Sequence, residues 1–165
     1  MKHKIPTNGY RIQEKEKERS LKADALLHPE MKLEYAHKLK RGEDVVTDSG
    51  YLLESSKFTK KAKKSLSYAY CSDTAFSENV IEAVKDSTVL YHEATFLDEH
   101  IANAKKTMHT TAKQAAEVAK RAGVGTLYMG HLSARYDDGK AHEAEARGIF
   151  ENSFYVNDGD VFLIK

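Results

Sequence analysis

Residues Thr110 to His131 read "TTAKQAAEVAKRAGVGTLYMGH", and this stretch decides the fold class. Thr111 and Gln114 have capping-box spacing, in which the N-cap hydroxyl and a side chain three residues on satisfy each other's backbone amides. Alanines fill the interior, and Gly123 supplies the left-handed stop that commonly ends a helix. The apolar strand "VGTLYMG" follows at once and halts at His131. A helix that hands over to an apolar strand within a few residues is α/β texture. Two readings of His131 are open. Histidines at element ends commonly hydrogen-bond locally, whereas ligands of open α/β sheets sit beyond the carboxyl ends of the strands.

Working outward, the same alternation holds from Ser65 onward. "SLSYAYCSD" and "STVLYHEATF" are apolar strands, and "SENVIEAVKDS" between them is a helix with Ser77 placed to cap it. "DGKAHEAEARGIF" is a further helix, and "SFYVNDGDVFLIK" gives two closing strands around an Asn157-Asp158-Gly159 turn. Residues 1–10 form a short strand broken by Pro6 and Gly9. Residues 11–65 differ. Their charges concentrate between Gln13 and Lys22, "HPEMKLEYAHKLKRG" has a moderate helical pattern ended by Gly42, and Asp48-Ser49-Gly50 signals a turn. With little apolar material to bury, this segment is expected to be a protruding arm and basic linker. The division is therefore 1–10, 11–65 and 66–165.

Composition sets limits. The 165 residues are 41% apolar and 31% charged, ordinary for a folded domain and unlike a disordered chain. A net charge of +1 creates no global basic field, so contact with nucleic acid would have to be local. The single cysteine, Cys71, excludes a disulfide framework, fits a reducing compartment and reads as a small buried strand residue. No run approaches membrane-span length and the amino terminus has no signal-peptide core, so a soluble, cytoplasmic chain is expected.

Three successive strands end in proton-active or metal-capable side chains: Asp73, the His92-Glu93 pair, and His131. Carboxylates and imidazoles converging beyond strand ends can hold a divalent cation or move protons. His109 sits just before the capping box, at a helix mouth that attracts anions. The bland alternative is a solvated His109 beside two capping threonines. Lys57, Lys60, Lys61, Lys63 and Lys64 could touch phosphates or simply solvate a connector. His28, His37, His100 and His142 are read as surface residues. No GxSxG, P-loop or GxGxxG occurs, which argues against the usual serine hydrolase, NTPase and dinucleotide sites.

"HKIPTNGYRIQEKE", "YCSDT", "YHEATF", "MHTTAKQAA" and "GHLSARY", in this order, resemble ribonuclease Z, the tRNA 3′-end-processing endonuclease family of the metallo-β-lactamase superfamily. The resemblance covers nearly the whole chain but only the carboxyl-terminal half or so of the family's short form. It implies half of an αββα sandwich, a mixed sheet flanked by helices with a protruding arm that grips tRNA. It implies that Asp73 bridges two zinc ions, that His3 completes one ion's ligands and that His131 completes the other's. Glu93 and His109 would form a hydrogen-bonded dyad, with His109 protonating the leaving 3′-oxygen and His92 beside the site. Ser133, Arg135 and Thr110 would contact substrate phosphate. The family's His-x-His-x-Asp-His motif does not occur here, and "LLHPEMKLEY" stands where members often carry a Gly-Pro stretch. The expectation is a zinc-dependent hydrolase that leaves a 3′-hydroxyl on tRNA, incomplete and inactive as this chain alone. Its expected partners are precursor tRNA, a second copy in a homodimer and an amino-terminal half carrying the absent motif. Two other readings stay open: a phosphodiesterase of the same superfamily with another substrate, and a non-catalytic remnant that binds RNA or dimerises.

Overall fold

A computed structural model describes residues 1–164. It divides into two compact units, one built from residues 1–13 and 66–165, the other from residues 14–65.

In the first unit β1 spans Gly9–Gln13. The short elements of the second unit follow: β2 (Ser20–Leu21), α1 (Leu33–Lys40), β3 (Val45–Val46), β4 (Leu52–Leu53), α2 (Ser55–Phe58) and β5 (Thr59–Lys60). The chain then returns to the first unit with β6 (Ser67–Cys71), α3 (Glu78–Ala83), β7 (Val89–Glu93), α4 (Ile101–Thr107), α5 (Ala112–Ala122), β8 (Thr126–Gly130), α6 (Lys140–Arg147) and β9 (Ser153–Tyr155).

The main sheet runs β1-β6-β7-β8-β9. β1 pairs antiparallel with β6, and the remaining pairings are parallel, the pattern expected when helices carry the chain back between strands. One face of the sheet presents Ala69, Cys71, Leu90, Leu127 and Met129 to α3, α5 and α6. α5 lies at the centre of this layer. Its alanines at 112, 115, 116, 119 and 122 let the helix backbone approach the strands closely, and its capping box and left-handed Gly123 (φ 66°) form as the spacing predicts. Alternation places Tyr68, Tyr70, Tyr91 and Tyr128 on the opposite face, half-buried, with Tyr70 and Tyr91 stacked at 5.1 Å. Among the described residues that face carries no helix layer. Phe162 rests on Tyr128 with ring centroids 4.3 Å apart.

Four expectations need correction. The amino-terminal strand is not within residues 1–10; it begins at Gly9, because Pro6 and the segment before it give up ladder pairing and serve the site instead. Residues 14–65 have their own apolar cluster of Tyr35, Leu39, Val45 and Leu53, with Met31 and Phe58 against it, and so are more than a loose arm. After the Asn157–Gly159 turn, Val161 to Ile164 lie outside the sheet, so only one of the two closing strands forms among the described residues. His142 is not a surface residue. It is fully buried on the inner side of α6, with its ring edge-on to Tyr136 at 4.6 Å.

Candidate metal and catalytic site

Parallel pairing aligns the carboxyl ends of β6, β7 and β8, with Cys71 opposite His92 and Glu93 opposite Gly130. Asp73, Glu93 and His131 follow from these ends on one rim of the sheet. The left-handed backbone at His131 (φ 65°) turns the chain there, a conformation that costs a non-glycine residue on the order of 1 kcal/mol. Met108 takes the same conformation (φ 63°) where α4 ends, and delivers His109 to the rim. Gly130 is required by close approach: a Cβ there would stand 2.5 Å from the Tyr91 hydroxyl. Residues 1–8 supply the remaining group. The Lys2 amide donates to Thr74 Oγ1 at 2.9 Å, the Ala75 amide donates to the Lys2 carbonyl at 2.8 Å, and Thr7 Oγ1 donates to the Asp73 carbonyl. His3 is thereby laid against the rim, its ring 5.1 Å from that of His109.

Glu93 is fully buried and accepts five hydrogen bonds: Thr74 N–H, Thr110 N–H and His109 Nδ1 on one oxygen, Thr95 N–H and Thr95 Oγ1 on the other. Burial alone would raise its pKa, but the bonds from His109 and Thr95 outweigh that and hold it below the ordinary carboxylate value. The bond to Glu93, at 3.0 Å, in turn raises the pKa of His109, against partial burial and with help from Asp73. Glu93 and His109 therefore form a hydrogen-bonded dyad in which the carboxylate favours the protonated imidazole. His92 is kept neutral by complete burial and spends Nδ1 on the Glu93 carbonyl at 2.7 Å. Burial pushes the Cys71 thiol up to about 11, so it is no nucleophile.

Asp73 lies among the histidines of the rim. Its Oδ1 is 3.5 Å from His131 Nε2, and it shares a cluster with His3 and His109 whose donor atoms all lie within 4.8 Å. A second cluster at the same spacing joins Glu93, His109 and His131. Asp73, His3 and His131 keep exposed or half-exposed donor atoms, whereas Glu93 is saturated and His109 Nδ1 is committed to it. One carboxylate flanked by two imidazoles is a donor chemistry suited to zinc. Catalytic zinc sites use three protein ligands and structural ones four, so these three residues are few enough to serve one ion at most.

Ser133 and Arg135 lie beside this rim. The Ser133 amide donates to the Thr95 carbonyl at 3.1 Å, Arg135 Nε donates to Ser133 Oγ at 3.1 Å, and the guanidinium lies over Phe96 at 5.2 Å. Arg135 is exposed, and a guanidinium has further donors beyond the one Ser133 takes. Thr110 differs from the expectation placed on it. It is fully buried, and its hydroxyl donates to the Thr74 carbonyl, which takes it away from any ligand. Sequence reasoning passed over Thr95, whose hydroxyl lies within hydrogen-bond distance of Glu93, His109 and His131. Its signal was present in "HEATF": a hydroxyl two residues beyond a strand-terminal carboxylate is well placed to bond it.

No protein-family model matches the chain. It is 40% identical over 159 residues to ribonuclease Z of Parabacteroides distasonis and 42% over 165 to that of Cytophaga hutchinsonii, covering 96% and 99% of this chain. The chain resembles ribonuclease Z. It spans about half the length of these curated relatives, 52% of each, an extent that fits a carboxyl-terminal portion. In structure it is similar to the metallo-beta-lactamase fold protein YhfI of Bacillus subtilis, with a TM-score of 0.51 at 21% identity over 56% of this chain and 37% of that one. That likeness concerns the fold.

Proposed function

We propose that this ribonuclease Z-like chain carries the proton-transfer dyad and part of the metal site of a zinc-dependent endonuclease that matures the 3′ end of precursor tRNA. The observation that carries the reading is the meeting of Asp73, the Glu93–His109 pair and His131 on one sheet rim, with His3 brought to it from residues 1–8. His3, Asp73 and His131 would hold part of a site for two zinc ions, which when bound would activate water and neutralise phosphate charge. Glu93 fixes the imidazole of His109 through Nδ1 and favours its protonated form, so that Nε2 can deliver a proton to the leaving 3′-oxygen. Arg135 and Ser133 would bind substrate phosphate at the rim, and residues 14–65 would contact the body of the tRNA. The homodimer and the cytoplasmic setting belong to the same proposal.

The remaining metal donors would come from a polypeptide segment outside these 165 residues that carries a His-x-His-x-Asp-His motif. The test mixes the purified chain with such a segment and follows zinc content together with cleavage of a precursor tRNA. The expected result is weak zinc retention and no cleavage alone, then about two zinc ions and a 3′-hydroxyl product on reconstitution. Cleavage by the chain alone would refute its incompleteness. Hydrolysis of a small phosphodiester with no action on precursor tRNA would refute the substrate.

A further inference from the structure

We infer that the Thr95 hydroxyl is a positioning group that fixes the tautomer of His131, placing the proton on Nδ1 and leaving the Nε2 lone pair facing Asp73. A threonine hydroxyl has one proton to give and two lone pairs to receive with. Thr95 Oγ1, itself buried, meets three partners: Glu93 Oε2 at 2.8 Å, His131 Nδ1 at 2.9 Å and His109 Nδ1 at 3.2 Å. A carboxylate oxygen can only accept, so the single hydroxyl proton goes to Glu93, and a charge-assisted bond of this kind is roughly twice as strong as a neutral one. Both lone pairs then face imidazole nitrogens, and each nitrogen must bring its own proton. His109 Nδ1–H is shared with Glu93 Oε1 at 3.0 Å, which leaves His131 Nδ1–H as the main donor to the threonine.

The competing tautomer would put the proton on His131 Nε2. Among the described residues its protein acceptor there is Asp73 Oδ1, at 3.5 Å, beyond the range of a good hydrogen bond. It would also leave Thr95 Oγ1 and His131 Nδ1 as two acceptors 2.9 Å apart with no proton between them. The Nδ1–H form avoids both faults. It leaves a nitrogen lone pair and a carboxylate oxygen facing each other across 3.5 Å, which is repulsive until a cation lies between them. The left-handed backbone at His131 is what brings the ring into this position. One residue thus serves both halves of the rim: Thr95 supports the anion that orients His109, and the same oxygen turns His131 into a metal-facing acceptor.

The tautomer stands on this geometry alone, whereas its consequence for a metal rests on the proposed function. The test is long-range proton–nitrogen correlation of the metal-free 165-residue chain labelled in its histidines, at about pH 8, where ordinary histidines are neutral. Wild type and Thr95→Ser, which keeps the hydroxyl, should show His131 protonated on Nδ1. Thr95→Val, close in shape but without the hydroxyl, should move His131 toward the Nε2–H form. Zinc added to the same samples should need about 10–100-fold higher concentration in Thr95→Val to perturb His131, the usual effect of losing such a support. A wild-type His131 protonated on Nε2, read without any variant, would overturn the inference. So would an unchanged tautomer in folded Thr95→Val. A changed tautomer with unchanged zinc response would overturn the metal-facing role and count against His131 as a ligand.

Discussion

Glu93→Gln should be among the most damaging single-atom changes available in this chain, and the structure gives the size of the loss. The carboxylate is fully buried and receives five donors, three on one oxygen and two on the other. Glutamine keeps one accepting oxygen and replaces the other with a group that donates. The least costly orientation puts the new NH2 against Thr95, because only two donors are lost there and the hydroxyl can rotate to accept. The Thr95 amide is then left buried opposite another donor, at a cost of about 1–3 kcal/mol, and the bond from His109 loses its charge assistance, about 1–2 kcal/mol more. A total near 2–5 kcal/mol overlaps the usual cost, about 3–5 kcal/mol, of breaking a buried ion pair from one side. His109→Ala removes only one of the five donors and should cost well under half as much. Urea unfolding gives the totals, and hydrogen exchange of the Thr74, Thr95 and Thr110 amides locates them. A Glu93→Gln chain within about 1 kcal/mol of wild type, with these three amides still protected, would refute the claim that the carboxylate organises the rim.

Two further outcomes follow from packing and burial. Burial lowers the pKa of His142, so the unfolded chain takes up its proton first and stability is lost as pH falls below the ordinary value of 6.5. His142→Phe cannot titrate, and its stability relative to wild type should rise between about pH 7 and pH 5 by up to about 1.4 kcal/mol for each unit of the shift; a pH-independent difference in thermal unfolding would contradict this. Gly130→Ala drives a methyl into the Tyr91 hydroxyl and should destabilise the chain by about 1–3 kcal/mol, partly restored by Tyr91→Phe. Equal losses in Gly130→Ala and the double variant would show that the clash is not with that oxygen.

The sheet and its helices were legible because each carried its own local instruction. The capping box at Thr111 and Gln114, the alanine face of α5 and the strand runs ending at Asp73, Glu93 and His131 need no distant partner to be read. The candidate site was legible where residue types converge on strand ends and where motif spacing resembles a known family. Other features were settled by tertiary context. His142 carries no local mark of burial, since half of helix α6 is charged and its packing against the rest of the fold, Tyr136 included, puts that face inward. Val161 to Ile164 look like a strand by composition, but a strand needs a neighbour, and among the described residues none pairs with them. Thr110 and Thr95 are alike as letters. One is consumed by a carbonyl and the other joins three polar groups, a difference that lies in the fold and not in the motif.

The register of β1 against β6 has an implication for how such a protein can change over time. Gln13 pairs with Ser67, and the Ser65 hydroxyl closes onto the Lys15 carbonyl, so residues 14–65 leave and re-enter the sheet through adjacent points. The whole segment is topologically the loop of one antiparallel hairpin. The entropy of closing a loop grows only with the logarithm of its length, so lengthening, trimming or exchanging this segment costs the sheet little. A lineage can therefore remodel what the segment touches while the rim residues keep their spacing, and an engineer could graft a different recognition module at the same neck.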